Sequence, residues 1–230
     1  MSLPTPKHIA IIPDGNRRWA KSKHLPSLVG HKKGVEITEE ICDVAIEQGV
    51  KVLTFWAFST ENWKRSEKEV KYLFHLLEEV FLNKVDKFHR ENIRLIVSGR
   101  IEKFPKKLQG YIRKAVAKTK NNTRGILNIC LNYGGRTEIV DAVKKIIKNK
   151  IPAAKIDKET IQKNLYSPEL PDPDLIIRTS GEHRTSGYLL WQSEYAEYVF
   201  VDKYWPDFTK KDLIKAITEF KNRQRRFGGT

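Results

Sequence analysis

The residues best equipped for chemistry fall into groups that are far apart in the chain. The first is Pro13-Asp14-Gly15-Asn16-Arg17-Arg18-Trp19, where a turn carries one carboxylate up to a pair of guanidiniums. Gly tolerates positive φ, and Asp and Asn bond their own backbone, so Pro13 to Asn16 predicts a sharp turn. A helix opening at Arg17, capped by Asn16, would aim unpaired N–H groups and partial positive charge where the arginines sit, which suits a phosphate. The carboxylate of Asp14 makes sense there if it holds a divalent cation that itself bridges to phosphate oxygens. Taken alone, the stretch reads equally as an ordinary turn with solvated arginines. It matches neither G-x-x-x-x-G-K-[ST] nor G-x-G-x-x-G, so it does not suggest a nucleoside triphosphate or a dinucleotide.

The second group is Arg178-Thr179-Ser180-Gly181-Glu182-His183-Arg184-Thr185-Ser186. Arg178, Arg184 and Ser186 could grip a diphosphate, because planar guanidinium forks match its oxygens. Glu197, further on, offers a second carboxylate for a metal at Asp14. Three weaker stretches add to these. Gly30-His31 carries a histidine of the kind that is more often structural than catalytic. Phe55 to Arg65 breaks from an apolar run into a polar loop, where Ser59, Asn62 and Trp63 could orient a substrate and Arg65 could meet a phosphate. Gly134-Gly135 allows close backbone approach, or simply a tight strand-to-helix turn.

These groups need elements to position them, and apolar β-rich runs alternating with amphipathic segments predict an α/β fold, a mainly parallel sheet flanked by helices. The expected strands are 9–12, 50–58, 93–98, 126–132, 175–178 and 198–201. Helices are expected over 34–48, 67–91, 105–120, 137–148, 157–165 and 209–227. The Asp14 turn, the Ser59 to Arg65 loop, Gly134-Gly135 and the Arg178 to Ser186 stretch then lie at the C-terminal ends of strands, where α/β sheets place their ligands, whereas Gly30-His31 follows the first helix and Glu197 stands just before the 198–201 run. The 67–91 segment has an apolar face wider than one stripe, from Val70, Leu73, Phe74, Leu77, Phe81, Val85 and Phe88 with Tyr72, Leu76, Val80 and Leu82 beside them. Such a face is either deeply buried or the wall of a greasy channel.

The chain has 230 residues and a formal net charge of +15, which favours an anionic partner: a phosphorylated metabolite, a membrane surface or nucleic acid. Cys42 and Cys130 lack metal-ligand spacing and read as buried, reduced core residues. The N-terminus lacks the apolar core of a secretory signal, and no apolar run is long enough to span a bilayer, so a cytoplasmic protein is expected.

Taken together, D-G-N-R-R-W-A, G-H-K-x-G, F-S-T-E-N-W-x-R, N-Y-G-G-R, R-T-S-G-E-x-R-x-S, L-L-W-Q and Y-A-E resemble the cis-prenyltransferase family, undecaprenyl diphosphate synthases included. The motifs run in the family's order across nearly the whole chain. The resemblance implies one catalytic domain over 1–230 with a central six-stranded sheet and a hydrophobic channel. It implies condensation of isopentenyl diphosphate with an allylic diphosphate such as farnesyl or geranylgeranyl diphosphate, dependent on Mg²⁺. By similarity Asp14 binds Mg²⁺ and assists departure of the allylic diphosphate, which Gly15, Asn16, Arg17, Arg18, Trp19 and His31 hold. Trp63, Arg65, Arg178, Arg184 and Ser186 match the isopentenyl diphosphate side.

His31, Ser59 and Asn62 match positions near the reacting carbons, and the resemblance makes Asn62 and His31 candidates for orienting or relaying the proton lost after condensation. Glu197 matches a carboxylate that supports metal binding across a homodimer, and Arg226 and Gly228 match an element that reaches the neighbouring subunit's phosphate site. Nucleic acid is not an implied partner, whereas peripheral contact with a membrane surface is compatible with a lipid product. One departure stands out: Ser27 occupies a place where family members usually carry Arg, and Arg17 stands where relatives often have Gly. Ser27 leaves open short or irregular products, or a non-isoprenoid acceptor. A non-catalytic partner subunit is a further alternative, which the retained Asp14, Arg178, Arg184, Ser186 and Glu197 oppose.

Overall fold

Six apolar runs become six strands in a computed structural model, which describes residues 3–224. They are β1 (His8–Ile12), β2 (Val52–Ser59), β3 (Ile93–Ser98), β4 (Gly125–Tyr133), β5 (Leu175–Thr179) and β6 (Glu197–Val201). All pairings are parallel and the order is β3-β4-β2-β1-β5-β6. Parallel strands are buried on both faces, which explains why β1 is a continuous apolar run. Ile9 and Ile11 enter one core with Phe55, Leu175 and Ile177, while Ala10 and Ile12 enter another with Cys130, Tyr133 and Ile176. Both cysteines are free and buried, as expected.

The neighbours of β1 leave in opposite directions, β2 toward one edge of the sheet and β5 toward the other. That reversal opens a crevice beyond the carboxyl end of β1, where the Asp14 turn lies. Helices α1 (Asn16–Ser22), α2 (Ser27–Glu47) and α3 (Glu67–Glu79) flank this end. A π-helical turn, Val80–Lys84, joins α3 to α4 (Val85–Arg90). Then come α5 (Lys106–Thr119), α6 (Gly135–Lys148), α7 (Lys158–Asn164) and α8 (Lys210–Lys221). None is long and apolar enough to cross a membrane.

Four expectations are corrected. Helix α1 opens at Asn16 rather than Arg17, because Gly15 takes the capping position with φ +101° and Asn16 turns its amide back to the Pro13 carbonyl at 3.2 Å. Helix α2 begins at Ser27, so Gly30 and His31 lie within it rather than before it. The expected 67–91 helix is interrupted by the π turn, and Leu82 is exposed rather than part of a buried face. The final helix, expected over 209–227, ends at Lys221 with Asn222 as its C-terminal cap, and its Thr209 cap accepts from the Asp212 amide as the Thr-Lys-Lys-Asp pattern requires.

Behind the sheet, His8 is buried between the Pro171 carbonyl and the Thr54 hydroxyl, each 2.7 Å from a ring nitrogen. Burial lowers its pKa to about 4 against an ordinary 6.5, despite opposing help from the Pro171 carbonyl. The folded state therefore binds fewer protons than the unfolded state between those values, and stability is lost as pH falls through that window. The loss from His8 amounts to roughly 3 kcal/mol once pH is below both values. Urea denaturation at pH 7 and pH 5 should show this slope in the wild type and a flatter one in His8→Asn; equal slopes would remove His8 as its source.

Candidate active site

The carboxyl ends of β1, β2 and β5 deliver the site. Asp14 follows β1 and is tied to β5 twice, its amide donating to Thr179 Oγ1 at 2.9 Å and its carbonyl accepting from the same hydroxyl at 2.8 Å. Gly15 permits the turn, and a Cβ there would sit 2.6 Å from the Tyr204 ring. The Asp14 carboxylate lies between two arginines, with Arg178 Nη2 2.8 Å from Oδ2 and Arg18 Nη2 3.3 Å from Oδ1. Burial works against its charge, but the Arg178 hydrogen bond and the two guanidiniums outweigh burial and hold its pKa below the usual range. Asp14 is therefore an anion at neutral pH.

Arg178 is buried, with 5% of its surface exposed, and its other terminal nitrogen reaches Ser186 Oγ at 2.8 Å and the Arg184 carbonyl. Its Nε is buried with no partner, an orphan donor beside the site. Arg18 also donates to Ser180 Oγ at 2.6 Å and to Glu182 at 2.7 Å, and the second Glu182 oxygen accepts from Arg184. One continuous network thus joins the two arginine groups that are widely separated in the sequence.

Three cavities meet here. One of about 810 Å³ is bordered by Asp14, Gly15, Asn16, Arg17, Arg18 and Lys21, with Ser27, His31 and Arg65 on its far side. A second, of about 370 Å³, brings Asp14, Asn16, His31, Ser59, Asn62, Arg65, Arg178 and Ser186 together. The third is apolar, about 120 Å³, between Leu73, Leu76, Leu77 and Val80 on one side and Phe55, Phe58 and Phe88 on the other. Asn16 and His31 border all three. The greasy space expected along the 67–91 segment is present as a pocket. A cavity of 150 Å³ takes a benzene, so this one takes about one five-carbon unit.

Other expected residues sit differently. Asn62 accepts from the Ser59 amide at 3.0 Å, so in this state these two cap a 3-10 turn, Thr60–Lys64, at the edge of the second cavity. Trp63 packs on Phe58 and Phe74 and donates to Asn132, and Trp19 donates to Asp207; neither borders the three cavities. Glu197 pairs in register with Leu175, at the opposite end of the sheet from Asp14 and held by Arg223 at 2.7 Å. The four steps along β5 from Leu175 to Thr179 span about 13 Å, so one chain does not bring the two carboxylates together. Arg226 and Gly228 lie outside the described residues.

Two acidic residues to which the sequence gives no role of their own belong to the site. Glu182 bridges Arg18 and Arg184 as described, and Glu69, buried on the first turn of α3, meets Arg65, His31 and Arg17. Its only sequence signal is the Arg65-Glu69 spacing of four, which reads as an ordinary helical ion pair.

No cluster of three or more acids, histidines or cysteines able to hold a metal occurs among the described residues. That donor set fits Mg²⁺, which is commonly held by one or two carboxylates plus substrate phosphate oxygens rather than by an all-protein cage. Asp14, ionised and bordering both cavities that arginines border, is the carboxylate that would hold such an ion.

Comparison with known proteins agrees with this geometry. Residues 12–228 match the family model Prenyltransf, described as "Putative undecaprenyl diphosphate synthase". The chain is 47% identical to an isoprenyl transferase of Heliobacterium mobile, over 97% of this chain and 88% of that protein. It is equally 47% identical to an isoprenyl transferase of Thermotoga maritima, over 97% of each. Lavandulyl diphosphate synthase from Lavandula x intermedia, in complex with dimethylallyl diphosphate, superposes with a TM-score of 0.94 at 34% identity, covering 98% of this chain and 99% of that one. A probable undecaprenyl diphosphate synthase from Campylobacter jejuni gives 0.84 at 33%, covering 99% and 100%.

Proposed function

The chain belongs to the cis-prenyltransferase family and shares its general reaction, the joining of isopentenyl diphosphate to an allylic diphosphate; on that premise we propose that it extends an allylic primer such as farnesyl diphosphate with cis geometry, as one catalytic domain over 1–230. The observation that carries this reading is the meeting of two arginine groups at Asp14, next to an apolar pocket that opens through Asn16 and His31. The allylic diphosphate is assigned to the larger cavity, against Gly15, Asn16, Arg17, Arg18 and His31. Isopentenyl diphosphate is assigned to Arg178, Arg184 and Ser186. Diphosphate leaves slowly until its charge is neutralised, and these guanidiniums are aimed where that charge develops. Mg²⁺, when bound at Asp14, adds charge neutralisation on the leaving oxygens.

Ser59 and Asn62 border the second cavity with Arg178 and Ser186, and their assigned role is to orient the acceptor once substrate displaces their mutual cap. Trp63 supports that loop from behind. A homodimer is part of the proposal: it gives Glu197 the cross-subunit role that its distance from Asp14 denies it within one chain. Arg226 and Gly228 are assigned the neighbouring subunit's phosphate contact. The protein works in the cytoplasm, with its lipid product handed to a membrane surface.

A second reading, short products, is favoured by one observation: the apolar pocket matches about one five-carbon unit. Ser27, bordering the larger cavity, adds no charge there. Incubation with farnesyl or geranylgeranyl diphosphate and isopentenyl diphosphate, followed by product mass analysis, separates the readings. Absence of any cis-elongated product would sink both. In the same assay Leu77→Trp, at a wall residue 9% exposed, is expected to shift the products toward fewer units. An unchanged distribution would remove α3 from control of length.

A further inference from the structure

His31 is the histidine that reaches all three cavities, and what sets its protonation is visible in its neighbours. Its Nε2 lies 3.1 Å from Glu69 Oε1, and the same oxygen accepts from Arg65 Nη1 at 2.9 Å. Arg65 Nη1 is also 3.5 Å from Nε2. A guanidinium only donates, so the ionised carboxylate between them is the acceptor for both, and the imidazole proton belongs on Nε2. Nδ1 makes no hydrogen bond among the described residues. The carboxylate is buried, 7% exposed, as is His31 at 8%, so the pair is sequestered from water.

We propose that Glu69 is the positioning residue of this site: it fixes His31 in the Nε2-protonated form and leaves the Nδ1 lone pair as the acceptor for the proton lost in condensation. The proposal rests on the prenyl-extension reading. In that step the C1–O bond of the allylic diphosphate breaks, and its electron pair leaves with diphosphate. C1 bonds to C4 of the isopentenyl unit, using that unit's double-bond electrons. The resulting C3 cation loses a C2 proton to Nδ1, and the C2–H pair becomes the new double bond. The imidazolium so formed is offset by Glu69, as an orienting carboxylate offsets the histidine of a hydrolase triad.

The charged groups facing His31 are Glu69 from α3, Arg65 from the turn that precedes it and Arg17 from α1. Burial lowers the His31 pKa and Arg65 and Arg17 add to that, while Glu69 opposes them. Glu69 itself stays ionised, because the contacts with His31, Arg65 and Arg17 overcome the cost of its burial. Removing its charge must therefore make His31 a weaker base.

The test is Glu69→Gln, which keeps an acceptor oxygen without the charge. Imidazole ¹⁵N NMR of the whole protein, with His31 assigned through His31→Gln, should show the Nε2-protonated form in the wild type and a lower pKa in Glu69→Gln. In the extension assay kcat should fall about tenfold or more with KM values nearly kept, and the acid limb of the kcat profile should move to lower pH. Glu69→Asp should restore part of that shift. A wild-type His31 protonated on Nδ1, or an acid limb unmoved in Glu69→Gln, would overturn the proposal. The NMR result is independent of turnover, so failure to find any extended product would strike the reaction assignment separately from the placement of the proton.

Discussion

Asp14→Ala is expected to lower kcat by about a thousandfold or more while changing KM for either diphosphate far less. The split follows from where Asp14 stands. The arginines proposed to hold the diphosphates remain, and the exposed start of α1 remains, so ground-state binding is expected to survive. What goes is the anionic oxygen proposed to hold Mg²⁺, which would neutralise charge on the leaving diphosphate. The same residue also compensates Arg178, whose guanidinium is 2.8 Å away and almost fully buried. Its removal leaves a buried donor without its acceptor, at a cost of about 1 to 3 kcal/mol.

Thermal denaturation of Asp14→Ala beside wild type separates the two losses, because a modest drop in Tm does not produce a thousandfold loss of rate in protein that is still folded. Asp14→Asn, which restores a hydrogen-bond acceptor for Arg178 but not the charge, should recover stability without recovering kcat. Near-normal turnover in either variant would overturn the metal assignment.

The second large effect is expected from Gly30→Ala. A Cβ at Gly30 would overlap the backbone carbonyl oxygen of Asn16 outright, and one at Gly34 would overlap the Asn16 side-chain oxygen. The two glycines form a seam on α2 that lets the first turn of α1 press against it. Backbone cannot rotate out of the way as a side-chain tip can, so the methyl must push the start of α1 outward and take Asn16, Arg17 and Arg18 with it. Overpacking of this kind costs about 3 kcal/mol. A displacement near 1 Å of positioning groups can cost about a hundredfold in kcat/KM.

Gly110→Ala is the control, because a Cβ there meets nothing within 4 Å. It should be neutral or slightly stabilising, by up to about 1 kcal/mol of helix preference. A Gly30→Ala protein with the melting temperature and kcat/KM of the wild type would show that α1 can reseat without cost.

The strands were legible because a parallel strand buried on both faces leaves an unbroken apolar run, as Ile9 to Ile12 and Leu175 to Ile177 do. The arginine groups were legible because their spacing is local. Helix α2 was read too short because Gly30 and Gly34 look like breakers, each costing about 1 kcal/mol in a helix. Here they are the price of close packing against α1, which only the third dimension reveals. Glu69 was missed for a related reason: an i, i+4 partner for Arg65 explains it locally, and nothing in the sequence says that α2 brings His31 to the same oxygen. The separation of Glu197 from Asp14 was legible, because in a parallel sheet a residue that opens one strand lies at the opposite end from a residue that follows another.

The π turn at Val80–Lys84 carries a consequence for how length can vary in this helix. A π turn holds one residue more than an α turn, so it behaves as an insertion absorbed on the spot. Leu77 before it and Phe88 after it still border one apolar pocket. A homologue with an uninterrupted helix between those two positions would carry one residue fewer there, and an alignment that forbids a gap would put every residue of α4 out of phase with its true counterpart.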